Sequence, residues 1–144
     1  VCYSLEYPHN VGAILRSAEA AGVHGVIIPK RNSVTLNYTV AKTSAGAIEY
    51  VPVVKVANLP AAIDELKSRG VWIFGADMDG TDYTALDYSG SIALVIGSEG
   101  KGIGRLVREK CDFIASLPMR GKINSLNASV AAGILMFEAA KHRN

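Results

Sequence analysis

Cysteine and charge are both scarce in this sequence, and each scarcity excludes a class of protein. Two of the 144 residues are cysteines, Cys2 and Cys111, far apart in the chain. They exclude a disulfide framework and a cysteine-built metal centre, and His9, His24 and His142 lack the spacing of metal ligands. Free thiols in a reducing cytoplasm, and no metal, are the expectation. No apolar run approaches the roughly 20 residues that span a bilayer; the longest, Val130 to Phe137, closes on Glu138. The first ten residues hold Glu6, Pro8 and His9 instead of a basic start and an apolar block, so they do not read as a signal peptide. The chain is therefore read as cytoplasmic, with no membrane partner. It begins at Val1 without Met, as a piece of a longer protein would. Charged residues make up 19%, and the net charge is only +2, too little for a general basic field. The bases gather locally instead: Lys30-Arg31, Lys101 with Arg105 and Arg108, Arg120 with Lys122, and Lys141 to Arg143.

What the chain does have is apolar bulk, 49% of its residues. That exceeds what one small globule needs, so a buried parallel sheet plus an oligomer interface is expected. The length fits a single domain, residues 1–144. Apolar runs alternate with helical stripes. Strands are predicted at Val1–Leu5, Gly25–Ile28, Val51–Val56, Val71–Ala76, Ile92–Ile96 and Phe113–Leu117. Helices are predicted at His9–Ala21, Leu59–Arg69, Ile103–Lys110 and Leu126–His142, with a short one at Thr39–Ala47. Lys30–Tyr38 and Asp77–Gly90 read as polar, turn-rich loops. The alternation predicts an α/β fold, a mainly parallel sheet with helices on both faces.

Three polar, glycine-bearing clusters adjoin the apolar runs, and open α/β sheets bind ligands where such loops meet. In Asn10-x-Gly12-x-x-x-Arg16, Asn10 is placed to cap the first helix. Arg16 follows about 9 Å along the axis, and helical side chains lean back toward the N-terminus. The alternative makes Asn10 a cap only and Arg16 a surface charge near Glu19. The second cluster, Gly97-Ser-Glu-Gly-Lys-Gly-Ile-Gly104, lies between a buried strand and a helix. It fits neither the Walker A spacing nor the dinucleotide fingerprint. Gly100-Lys-Gly-Ile-Gly104 matches the loose G-x-G-x-G of Rossmann methyltransferases. However, it comes late in the chain, and no acidic ribose ligand stands at the next strand end, Ser116 to Met119. Glu99 suits a ligand's hydroxyl or amine; a plain tight turn is the alternative. In the third cluster, Leu117 to Ala131, Ser125 or Asn124 would cap the last helix, with Asn127 and Ser129 in its first turn. Capping explains one of these four polar residues, not all of them. On that helix Val130, Ile134 and Phe137, with Ala131 and Ala132, read as core or dimer seam, and Gly133 permits close packing.

Taken together, the three motifs resemble those of the SpoU branch of the SPOUT methyltransferases. They stand here as Asn10-x-Gly12-x-x-x-Arg16-Ser-Ala18, Gly97-Ser-Glu99-Gly-x-Gly102 and Pro118-Met-x-Gly121-x-x-x-Ser125-Leu-Asn127-x-Ser129, in order and across nearly the whole chain. Tyr7 replaces the Asp usual before Pro8, and Ala128 replaces a common Val. The run Asn58 to Lys67, with Val95–Gly102 and Glu109–Asp112, is most similar to bacterial 23S rRNA guanosine 2′-O-methyltransferases. The resemblance implies methyl transfer from S-adenosyl-L-methionine to a ribose 2′-hydroxyl of RNA. It implies a cofactor site at Gly75, Ala76, Gly97, Leu117, Met119, Ser125, Leu126 and Asn127. It assigns activation of the hydroxyl to Arg16, with Asn10, Glu99, Ser125 and Asn127 fixing the ribose and Arg16. It further implies a deep C-terminal trefoil knot and an obligate homodimer. The N-terminal RNA-binding domain common in the family is expected to be missing here. The same chemistry on tRNA, or a non-catalytic RNA-binding domain of this fold, are the alternatives.

Overall fold

The computed structural model describes residues 8–30, 42–97, 102–122 and 126–143. The strand expected at Val1–Leu5 lies outside them, as does nearly all of the loop expected at Lys30–Tyr38. Helix α1 spans Pro8–Ala21. It starts two residues before Asn10, which is therefore inside the first turn and not its cap. Pro8 explains the early start, since its fixed φ and missing N–H suit the first helical position. Val11, Ile14, Leu15 and Ala18 recur at helical spacing, and all are buried. Gly22, at φ +80°, closes the helix while the Val23 N–H donates to the Ala18 carbonyl at 2.8 Å.

Strand β1, Val26–Pro29, pairs in parallel with β2, Val53–Val56. Pro29 is the strand's last residue instead of standing beyond its end. Between the two strands, Lys42 and Thr43 are helical, as expected within the predicted Thr39–Ala47 helix, whose residues 39–41 lie outside the described ones; a turn and a 3-10 segment at Ala47–Glu49 follow, entered through Gly46 at φ +86°. Helix α2, Leu59–Ser68, is capped by Asn58, whose side chain accepts from the Ala61 N–H at 3.0 Å. It leads into β3, Trp72–Asp82, which is central among β4 (Ile92–Val95), β3 and β5 (Phe113–Ser116), all parallel. Helix α3, Arg105–Lys110, joins β4 to β5, and α4, Ala128–Ala140, follows.

Strand β3 runs six residues beyond its predicted end. Ala76 and Thr81 both pair with Ala115, so Asp77 to Gly80 are looped out and the strand then resumes. The Ser116 hydroxyl holds this excursion shut. It donates to the Asp77 carbonyl at 2.7 Å and accepts from the Gly80 N–H at 2.8 Å. Asp79 sits at φ +58°, which Asp tolerates better than most residues. The Asp and Gly content gave a loop signal, but the chain re-enters the ladder after one tight turn.

Helices cover both faces of the three-stranded group. On one face, Leu59, Ile63 and Val107 from α2 and α3 bury Ile73 and Val95. On the other, Phe74 packs with Tyr88 and with Ala139 of α4. The described strands form two parallel groups rather than one continuous sheet. A core cluster that includes Val26, Ile28, Ile96 and Ala115 joins them, along with α1 and α4. An apolar cavity of about 400 Å³ lies in this cleft, lined by Val26, Leu94 and Met136 among others. Trp72, half exposed at the start of β3, begins an aromatic series: its ring is 6.1 Å from Phe113, which stacks on Phe74 at 4.8 Å. Among the described residues no helix is long and apolar enough to cross a membrane. The expected trefoil knot is not visible among them either.

Candidate active site

The C-terminal ends of β3, β4 and β5 lie side by side. Gly75 is level with Val95 and Ile114, and Ala76 with Ala115. Gly97 and Leu117, a residue or two further on, thus leave the sheet at the same edge. Ala76 and Leu117 pack against the cluster that holds Ile96 and Ala128, which brings the start of α4 to this edge. Leu126 is half-buried there, Asn127 is exposed, and Met119 is 37% exposed. The seven described residues expected to line a cofactor site (Gly75, Ala76, Gly97, Leu117, Met119, Leu126 and Asn127) therefore come from four segments, and Ser125 lies outside the described residues.

Backbone packing at this edge is very close. A Cβ on Gly97 would stand 2.0 Å from the Gly102 carbonyl oxygen, so the two glycines pinch the neck of the loop between β4 and α3. Residues 98–101, Glu99 among them, lie outside the described residues. Gly75 is buried with equally little room, for its Cβ would meet Cys111 Sγ and Ile103 Cδ1 at 2.7 Å each. Burial, and secondarily the Asp112 charge, pushes the Cys111 thiol up to about 11. Cys111 is therefore a packing residue here, protonated at neutral pH and not a nucleophile.

Asn127 caps α4. Its side-chain oxygen accepts from the Ser129 N–H at 2.9 Å and from the Ser129 hydroxyl. This corrects the expected cap at Asn124 or Ser125, both of which fall outside the described residues. An Asx at the cap with Ser two residues on satisfies two donors at once, which outcompetes an earlier start. The free N–H groups and positive dipole end of a 13-residue helix thus face the loop segment. Arg16 lies on the exposed side of α1, as the surface-charge alternative also has it, and forms no ion pair among the described residues. Asn10 is half-buried one and a half turns before it. Gly12 faces Thr43, with no room for a Cβ.

Three residues at this edge carried no sequence signal. Asp77, Arg108 and Ser116 anchor the β3 excursion. Arg108 Nη1 lies 2.9 Å from Asp77 Oδ2 and donates to the Met78 carbonyl at 3.1 Å. Only the clustering of Arg105 and Arg108 near the glycine loop hinted at them. Nearby, hydrogen bonds from the Thr84 hydroxyl and N–H hold the Asp82 carboxyl below its usual range, with the Arg120 charge adding to the effect.

Known proteins are similar to this chain in sequence and fold. The SpoU rRNA Methylase family profile matches residues 1–137. YacO of Bacillus subtilis (strain 168), assigned to the TrmH family of tRNA/rRNA methyltransferases, is 57% identical over 141 residues, 97% of this chain and 57% of YacO. The SpoU methyltransferase AviRb from Streptomyces viridochromogenes, crystallised with the cofactor AdoMet, superposes with a TM-score of 0.91 at 30% identity, over 99% of this chain and 58% of AviRb. An RNA 2′-O ribose methyltransferase superposes with a TM-score of 0.89 at 28% identity, over 99% of this chain and 55% of that one. The chain thus spans just over half the length of these relatives.

Proposed function

Because this chain belongs to the SpoU rRNA Methylase family, we propose that it uses S-adenosylmethionine to methylate a ribose 2′-hydroxyl in RNA. The expected target is a guanosine of 23S rRNA. The observation that carries the reading is the edge where the C-terminal ends of β3, β4 and β5 lie level, with Gly97 pressed against the Gly102 backbone at its rim. An apolar rim at Leu117, Met119 and Leu126 beside the positive end of the α4 dipole fits a nucleoside with an amino-acid tail. No strong counter-charge is needed for a cationic sulfonium. AviRb, whose fold matches over nearly the whole chain, was crystallised with that cofactor.

The cofactor supplies an electrophilic methyl group. The chain's own residues supply alignment, which is worth on the order of 7–11 kcal/mol when reacting groups are held in line. Arg16 clamps the phosphate beside the target ribose and polarises the 2′-hydroxyl. A guanidinium with a pKa above about 12 is a poor proton acceptor, so its part is orientation and charge rather than base catalysis. Asn10, Glu99, Ser125 and Asn127 hold the ribose and Arg16 in register. The homodimer and the C-terminal trefoil knot belong to the same proposal. Exposed Val130 and Phe137 on α4, 49% and 50% accessible, supply an apolar face for a second copy.

The test is to incubate the purified chain with methyl-labelled S-adenosylmethionine and either 23S rRNA or tRNA, then digest to nucleosides for mass spectrometry. A 2′-O-methylguanosine from rRNA is expected. Label on tRNA alone would move the target. Label on a base, or none from a chain that binds the cofactor, would refute ribose transfer.

A further inference from the structure

We propose that Asp77 and Arg108 form a positioning pair that sets the neck of the glycine loop and thereby the cofactor-binding edge. The proposal rests on the reading above of what that edge binds. A series of direct contacts carries it. Arg108 Nη1, from α3, bonds Asp77 Oδ2 at 2.9 Å and the Met78 carbonyl at 3.1 Å. Asp77 is tied down a second time by its own Oδ1, which accepts from the Met78 N–H at 2.8 Å. A third tie is its carbonyl, which accepts from the Ser116 hydroxyl at 2.7 Å. The fixed carboxylate lies against Gly102: a Cβ there would stand 2.7 Å from Asp77 Oδ1. Gly102 in turn sits at φ +66° with its carbonyl against the Gly97 Cα. Arg108 thus sets Asp77, Asp77 sets Gly102, and Gly102 sets Gly97.

The pair is placed for positioning rather than for overall stability. Other described ion pairs, such as Arg69–Glu65 and Arg105–Glu109, bridge one turn of a single helix. Lys67–Asp112 and Lys110–Asp64 tie α2 to the segment around α3, away from the loop neck. Asp77–Arg108 joins a helix to a strand end at the neck itself. Its two side chains are 20% and 37% exposed, so the pair is partly shielded from water and salt. With Arg108 still more than a third exposed, the pair adds only modestly to global stability.

The experiment compares wild type with Asp77→Asn, Arg108→Gln, Arg108→Lys and the Asp77→Asn/Arg108→Gln double variant. It reads three quantities: the KM for S-adenosylmethionine, kcat at saturation, and amide hydrogen exchange at Gly102 and Ile103 without cofactor. The expected result is a tenfold or greater rise in KM for Asp77→Asn and for Arg108→Gln. At saturation kcat stays within about threefold, and Tm shifts little. Arg108→Lys recovers part of the KM. The double variant is no worse than either single one, because both break the same tie. Exchange at Gly102 and Ile103 quickens at least tenfold, while that of Phe74 is unchanged. Unchanged exchange in both single variants, or additive effects in the double variant, would overturn the pairing. A wild-type chain that binds no S-adenosylmethionine would refute the proposed function instead, and the exchange readout would still decide the pair.

Discussion

At the N-terminal ends of the strands, Gly22, Gly70 and Gly90 have φ angles of +80°, +85° and +83°, and nothing lies within 4 Å of where their Cβ atoms would be. At the C-terminal ends the crowding is reversed: Gly75 and Gly97 keep negative or extended backbones, yet a Cβ on either would overlap its neighbours. One edge uses glycine for backbone direction alone; the other uses it for close approach, with Gly102 at φ +66° combining both. The first kind turns a chain and can sit anywhere. The second kind brings backbone groups from separate segments into one surface, which a nucleoside-binding edge requires.

The sharpest way to break that contrast is Gly97→Ala. Neither the Gly102 carbonyl nor Ile103 N can swing aside as a side chain could. Overpacking of this kind costs about 3 kcal/mol, and cofactor affinity should fall on the order of 100-fold. Calorimetry with S-adenosylmethionine and a thermal melt read both quantities. Arg16→Ala separates chemistry from shape. Turnover should drop about 100-fold, with cofactor affinity and melting temperature unmoved, because the side chain is exposed. Near-wild-type turnover would remove Arg16 from the mechanism.

The helix caps offer a matched pair. Asn127→Ala and Asn58→Ala each remove a side-chain acceptor from a helix start, and each should cost about 1 kcal/mol. Only Asn127→Ala should also weaken methyl transfer. Gly70→Ala should cost about 1–2 kcal/mol through its left-handed φ and leave cofactor affinity intact. The effect confined to alkaline pH is that of Cys111, which packs beneath Gly75. Its thiol is raised from 9.0 to about 11, so the native state keeps a proton that the unfolded chain loses between those values. That part of the stability is complete below pH 9 and declines as pH rises toward 11. In denaturant melts, the stability advantage of wild type over Cys111→Ala should be constant below pH 9 and shrink as pH rises toward 11.

Much of this architecture could be read from periodicity. The apolar stripe of α1, the cap of α2 and the alternation of strands with helices all fell where the spacing placed them, because each is a local signal. Strand β3 beyond Ala76 could not be read that way. Its continuation depends on Ser116 and Arg108, 36 and 30 residues away from the backbone groups they bond, Gly80 and Met78. The cap of α4 was misplaced for a related reason. Four polar residues competed for one role, and local sequence does not rank them. At the candidate site, Gly97, Met119 and Leu126 lie in the quoted motifs, whereas Gly75, Ala76 and Leu117 are expected only from the family resemblance. The pair beneath them was not recognisable, since Asp77 resembles any turn residue until its partner is seen.

Trp72 has a use that its place in the sheet makes available. It is the chain's single tryptophan, half exposed, at the end of β3 away from the Gly97 neck, and its ring neighbours Phe113. Its emission will report the melting of the strands around it and stay silent to a nucleoside held at the far edge. A single cuvette can then distinguish a variant that has unfolded from one that has merely let go of its ligand.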